Sequence, residues 1–507
     1  MDDPLFLWAG RQMQTQWWDP YGVPVNWYGW PMPLHEVTKN PPLASAFIAL
    51  LISIFGESEF VLHLGFCLPA IAFILGTYAL GRRFCDHPLP AALAALFTPV
   101  FIVSSTGLMC DVWMVALWVW AIVFWLRGLE KDQPLLLLLG AFLISACSLA
   151  KYFGIALIPL LLVYTWWRKH KPGWWLAWFL VPIAMMGLYE AITRGLYGHG
   201  LFLDAFSYAH EHQMGTILPK LLTVLGFIGG CCAIVLVLLP MLWRPHWWIV
   251  ASITLLFLSG TTWILSDSLG GYMESSARVN VTVLCTLLAF GGLVVLLLPI
   301  LDWKLHKNAD TVLLLLWVWG VFAFSVLNWT INGRSVLPMV PAVAILLLRR
   351  IEFIKRATPF RMNMAFATAA ILSLLVAFAD YRLANSARAA VGEIQTKFGH
   401  ASAAPIWFQG HWGFQYYAEK SGLRPFDFKN PQAQAGDLMV IPYTNTNITT
   451  LPKEIVDPVA TIEMPVTPWI ATMSYEMGAG FYTDIVGPLP FSFGTIPAGK
   501  YYLFRFK

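Results

Sequence analysis

Long apolar runs, interrupted by short charged or Pro/Gly-bearing segments, fill the chain up to about residue 380. A membrane-crossing helix needs roughly 20 mostly apolar residues. Runs of that kind lie near residues 60–82, 89–105, 108–126, 134–150, 152–167, 174–191, 220–243, 247–266, 279–300, 311–327, 335–348 and 362–380, which predicts about twelve spans. The run 43–55 is shorter and reads as an interfacial or re-entrant helix. From Tyr381 onward polarity is ordinary, with turn signals such as NPQAQAGD and PYTNTN. There APIWFQG and DLMVIPY read as strands, HWGFQYYAEKSG as a helix stopped by glycine, and YYLFRFK as a closing strand. The expected fold class is therefore mainly α: a polytopic membrane protein with a small C-terminal α/β or α+β domain. Three parts are expected: a polar opening with juxtamembrane helices (1–59), a membrane domain (60–380) and a tail domain (381–507).

Composition supports this division. Of 507 residues, 58% are hydrophobic and 12% charged, about half the charge of a soluble domain. The 25 tryptophans suit a protein with two membrane–water interfaces. A net charge of +4 is too small to argue for nucleic acid. The seven cysteines show no CxxC or CxxH spacing, so neither a disulfide framework nor a zinc site is expected. The acidic start, with no early apolar run, predicts no signal peptide.

The distribution of basic residues sets orientation. Alternate loops hold Arg82, Arg83, Arg127, Lys131, Arg168, Lys169, Lys171, Arg244, Lys304, Lys307, Arg349, Arg350, Lys355, Arg356 and Arg361. The opposite loops hold Lys151, Arg194, Lys220, Arg278 and Arg334, with Arg11 and Lys39 in the opening stretch. That is 15 against 7, so the poorer side is expected to be extracytoplasmic. Asp2, Asp3, Lys39, Asp111, Arg334, the loop 192–218 and the tail all fall on that side.

Charged groups beside hydrocarbon are functional candidates. Asp2 and Asp3, with Asp19 further on, could hold one carboxylate as a base, but they would serve equally as an acidic helix start before Pro4. Lys39 in TKNPPL suits a phosphate, or snorkels at the interface. Asp111 in LMCDVWM could cap its helix or bind a sugar hydroxyl. Arg334 in NGRSVLPMVP could hold a phosphate bidentately or anchor an interface. Lys151-Tyr152 reads mainly as a charged helix end. His210-Glu211-His212 lacks metal-binding spacing and reads as a solvated loop. Asn280, Asn328 and Asn447 sit in sequons, which matter only in a eukaryotic secretory pathway.

Together these pieces resemble a known family. DDPLFLWAGRQM is similar to the first-loop motif of the protein O-mannosyltransferase and aminoarabinose transferase superfamily, the GT-C membrane glycosyltransferases of family 39 type. KNPPL resembles the KPPL segment of that loop, CDVWM the second acidic motif and GRSVLPMVP the late arginine–proline motif. The resemblance covers roughly residues 1–350. It implies a GT-C-like multi-helix domain and an inverting hexosyl or pentosyl transferase that uses a polyprenyl-phosphate-linked sugar. The implied acceptor is a lipid, a glycan or a protein. Asp2 then matches the catalytic aspartate, with Asp3 where Glu is usual, and Lys39 or Asn40 falls at the phosphate-binding lysine. Asp111 matches the second acidic residue and Arg334 the late arginine. The family's usual membrane helix ahead of the acidic loop is expected to be missing here through truncation or a misplaced start. No cofactor is identified, and a divalent cation is left undetermined. The expected location is a bacterial-type plasma membrane in preference to the endoplasmic reticulum, with site and tail outside. A transporter and a non-catalytic envelope assembly protein are the competing readings.

Overall fold

The computed structural model describes residues 2–211, 216–245, 247–266, 277–399 and 405–507. Among them, seven helices are long and apolar enough to cross a membrane: Glu59–Phe84, Cys110–Lys131, Trp174–Tyr197, Trp247–Ile264, Arg278–His306, Ala309–Leu327 and Pro359–Gly399. An eighth span arises if Ile217–Cys231 and Ile234–Leu242, which meet at 82°, count as one. The protein is a multi-pass membrane protein of mainly helical fold. The other expected spans are helical but short or broken. Proline is the cause in one case: the run 89–105 splits into Pro88–Leu96 and Pro99–Ser104, because Pro99 opens a new helix and disfavours helical backbone at Thr98. Pro134–Ala150 is unbroken but only 17 residues long.

The helix Cys110–Lys131 runs through the middle of the bundle, with Trp118 and Trp125 fully buried. By contrast Ile249, Ile253, Leu256, Phe257 and Ile264 stand exposed on Trp247–Ile264, as a lipid-facing helix requires. Close contact elsewhere depends on glycine. A side chain at Gly229 would strike the carbonyl of Leu288, and one at Gly292 that of Leu225. Ile217–Cys231 and Arg278–His306 thus touch backbone to backbone, the small-residue packing common in membranes.

Charges gather at the two opposite ends of these helices. At one end Arg83 pairs with Glu130 and, at 3.0 Å, with Asp310. There Arg349 Nε also donates to Asp302 at 2.8 Å. The other end carries Asp111, Arg334 and the opening stretch.

In that stretch the helix Asp3–Thr15 lies on Leu43–Phe55, burying Phe6 and Leu7 with Ala44, Ile48 and Leu51. A short hairpin, Pro24–Asn26 with Pro31–Pro33, is bonded to the tail. Gln415 Nε2 donates to Asn26 O at 2.9 Å, and Phe428 N to Gly29 O at 2.8 Å.

The tail contains the expected strands and helix. Its five-stranded sheet runs in the order Arg424–Pro425, Ile406–Phe408, Leu438–Pro442, Gly499–Phe506, Val456–Met464. The first three strands are parallel and the last two pairings antiparallel. Trp412–Lys420 is the helix, and Gly422, at φ +85°, turns the chain away after it. The boundary expected at residue 380 falls inside one continuous helix, Pro359–Ile394. Polarity rises at Asp380-Tyr381-Arg382, but the alanine-rich RLANSARAAVGEI still favours helix. At about 1.5 Å per residue this helix exceeds the ~30 Å hydrocarbon core and carries on into the tail. Ile470, Phe481 and Phe491 return to pack in the bundle's own core.

Candidate active site

Three segments far apart in sequence meet at the end of the bundle that carries the opening stretch. Asp2 immediately precedes the helix Asp3–Thr15. Asp111 sits in the first turn of Cys110–Lys131, where a carboxylate is favoured by the helix dipole. Arg334 lies on the turn Gly333–Val336, whose start is capped by Asn332, its Oδ1 accepting from Ser335 N at 2.9 Å.

The guanidinium of Arg334 stands between the two acids. Its Nη2 is 3.5 Å from Asp2 Oδ2 and its Nη1 3.8 Å from Asp111 Oδ2. Lys151 Nζ reaches the other Asp111 oxygen at 2.6 Å. Asp111 is fully buried and Arg334 nearly so, so an unpaired charge at either position would be costly. Two acids and two bases balance each other. The arginine fork is only loosely engaged, and its buried Nε has no hydrogen-bond partner among the described residues; such a fork can take up an oxyanion.

Burial, the largest single effect, pushes the Asp2 carboxyl up, but Arg334 and the other positive charge around it together outweigh burial, and the group lies below its ordinary value. His411, from the tail, faces Asp2 electrostatically; burial lowers its imidazole to about 3, so it is neutral. Its ring stacks on Trp27 with centroids 4.5 Å apart, and Thr446 Oγ1 lies 2.8 Å from its Nε2.

Sequence-predicted residues divide into those inside this cluster and those beside it. Asp2, Asp111 and Arg334 converge. Asp3 turns away: its Oδ1 accepts the amide of Leu108 at 2.5 Å, anchoring the loop that leads into the central helix. Lys39 gives its ammonium to Asp204 at 2.6 Å and stands over the Tyr208 ring. Asn40 reaches the central helix, where its Oδ1 accepts from Cys110 Sγ at 3.6 Å. Asp19 accepts from Tyr197 OH at 2.7 Å, outside the cluster. Lys151, read mainly as a helix end, proves to be the partner of Asp111. Nothing local in the sequence singled out His411, or Tyr482, whose ring centroid lies 5.5 Å from the Arg334 guanidinium carbon. His212 lies outside the described residues. Among the described residues, no group of three or more His, Cys, Asp or Glu side chains is arranged to hold a metal ion.

A family model described as dolichyl-phosphate-mannose-protein mannosyltransferase matches residues 39–189. That stretch carries Lys39, Asn40, Asp111 and Lys151. No curated protein matches the chain. Among solved structures, the chain resembles ArnT from Cupriavidus metallidurans bound to undecaprenyl phosphate, at 15% identity and a TM-score of 0.44, covering 87% of this chain and 88% of that one. The same protein in its apo state aligns at 16% identity and a TM-score of 0.42, covering 87% and 88%. The oligosaccharyltransferase of Archaeoglobus fulgidus, tethered to an acceptor peptide, aligns at 12% identity and a TM-score of 0.47, covering 84% of this chain and 59% of that one. The GT-C resemblance carried by the motifs thus agrees with the family model that matches residues 39–189.

Proposed function

We propose that the chain is a GT-C-type inverting glycosyltransferase of the membrane. It moves a hexose or pentose from a polyprenyl-phosphate carrier to a lipid, glycan or protein of the cell envelope. The observation that carries this reading is the placement of Arg334 between Asp2 and Asp111, an acid–base cluster at the membrane end of a helical bundle. The charge bias of the loops supports an extracytoplasmic site, and the membrane on this reading is a bacterial-type plasma membrane.

The chemistry follows from where charge develops. The departing polyprenyl phosphate gains negative charge at the anomeric bond, and Arg334 stabilises it. As Arg334 turns to the phosphate it loosens from Asp2, whose carboxylate becomes more basic and takes the acceptor's proton. Asp111, held by Lys151, keeps Arg334 near the site throughout and orients the sugar. Asn40 lies on the wall beside Cys110, and Lys39, released from Asp204, would serve as a second phosphate cation. Asp3 fixes the loop that leads into the central helix.

The test is turnover of a radiolabelled polyprenyl-phosphate sugar by the purified chain in lipid nanodiscs, with envelope extract as acceptor. Transfer that disappears in Asp2→Asn and in Arg334→Ala supports the reading. Solute uptake into liposomes without any transfer would replace it with a transporter.

A further inference from the structure

Arg334 is held by more than carboxylates. Its guanidinium carbon lies 5.5 Å from the centroid of the Tyr482 ring. Tyr482 is itself braced, since its hydroxyl donates to Asp380 Oδ2 at 2.8 Å. The other Asp380 oxygen accepts from Thr472 Oγ1, also at 2.8 Å. Asp380, almost wholly buried, projects from the long helix Pro359–Ile394, a rigid support.

Main-chain bonds join the same two segments. Gly333 N donates to Phe481 O at 2.7 Å, and Asp484 N donates to Ile331 O at 2.9 Å. Ile331 N returns a bond to Asp484 Oδ1 at 2.9 Å. A side chain at Gly333 would meet Phe481 Cε2 at 2.7 Å. The tail therefore lies directly against the backbone on either side of Arg334, with no layer of side chains between.

An arginine side chain is long and flexible, and two loose contacts at 3.5 and 3.8 Å do not set the plane of its fork. A braced aromatic ring does, because the guanidinium is drawn to the ring's electron-rich face and stacks along it. We propose that Tyr482, fixed by Asp380, is a positioning residue that orients Arg334 toward the donor phosphate, so the C-terminal tail supplies a wall of the site. This rests on the reading of Arg334 as the phosphate-holding cation.

The experiment is a double-mutant cycle on the full chain in nanodiscs, with the affinity for undecaprenyl phosphate as the readout. Arg334→Ala should abolish most binding. Tyr482→Leu should weaken it about tenfold, within the range of a desolvated cation–π contact, and Tyr482→Phe by about threefold or less. If Tyr482 acts through Arg334, either Tyr482 variant combined with Arg334→Ala binds no more weakly than Arg334→Ala alone. Losses that multiply in the double variants overturn the proposal, as does parental affinity in Tyr482→Leu. Parental affinity in Arg334→Ala overturns the functional reading itself, which separates the two failures. Amide exchange at Gly333 gives a second measure. It should quicken in Tyr482→Leu, and an unchanged rate beside lost binding also overturns the proposal. Should the leucine variant not purify folded, the phenylalanine variant carries the cycle.

Discussion

Lys151 Nζ lies 2.6 Å from Asp111 Oδ1, so the carboxylate in the first turn of the central helix is paired with a cation 40 residues further along. This pair and Arg334 share one buried acid, which ties the stability of this end of the bundle to the groups proposed to handle substrate.

Removing that acid should therefore cost both fold and function. Asp111→Asn takes from Lys151 its carboxylate and leaves Arg334 with Asp2 alone, and breaking a buried pair from one side typically costs about 3–5 kcal/mol. The melting temperature in detergent should fall. Adding Lys151→Met to Asp111→Asn should recover part of the loss, because fewer charges are then left unpaired.

Asp2 and Asp3 should separate kinetically. Asp2→Asn is expected to lower kcat by about 10²–10⁴-fold, the usual contribution of a positioned general base, with the donor KM little changed. Asp3 bonds the Leu108 amide, so Asp3→Asn should chiefly lower stability, by about 1–2 kcal/mol. Steady-state kinetics beside thermal shifts distinguish the two.

The pH dependence has a defined sign. Burial raises the pKa of Asp2, and Arg334 with the neighbouring positive charge together lowers it by more, so the folded group titrates below its ordinary value of 3.8. Its contribution to stability is present above about pH 4 and is lost as pH falls through the lower folded value. Asp2 is therefore ionised across the neutral range, and the acidic limb of kcat/KM should lie below that of an ordinary carboxylate. In Arg334→Lys the cation is held differently and the limb should move upward. A profile that keeps its acidic limb in place would remove Arg334 as the cause.

Gly229→Val should separate two helices. Its side chain would enter the carbonyl of Leu288, and overpacking of this kind costs about 1–3 kcal/mol. The melting temperature of the purified protein checks it.

Sidedness is open to direct test. Cysteines introduced at Lys39 and Lys453 should react with an impermeant maleimide from the same face of the membrane, and one at Arg356 only from the opposite face.

Much of the architecture was legible because apolar length is a local signal. Glu59–Phe84, Cys110–Lys131 and Arg278–His306 each announce themselves in one run of residues, as do the tail strands Ile406–Phe408 and Leu438–Pro442. The pairing of side chains is not local. Asp2 and Arg334 stood out as charges beside hydrocarbon, and their meeting was suggested only by a shared expected face. Lys151 looked like a helix end because nothing near it points to Asp111. Lys39 carried the expected phosphate role, yet Asp204, on a helix 165 residues away, receives its ammonium. Tyr482 and Asp380 escaped notice because an aromatic in a polar tail and an acid at the end of an apolar run are ordinary features by themselves. The rise in polarity at residue 381 falls within the helix Pro359–Ile394, because a change of polarity along a helix does not by itself stop it.

The contact of Phe481 with Gly333 also bears on how the molecule is made. Synthesis at about 5–20 residues per second brings Arg334 out of the ribosome roughly 7–30 seconds before Tyr482. A nascent chain halted in that interval already holds both acids and the arginine but has no aromatic brace. On the proposed reading, full affinity for a lipid-phosphate carrier would come only once that brace is in place, so half-inserted copies would bind it more weakly.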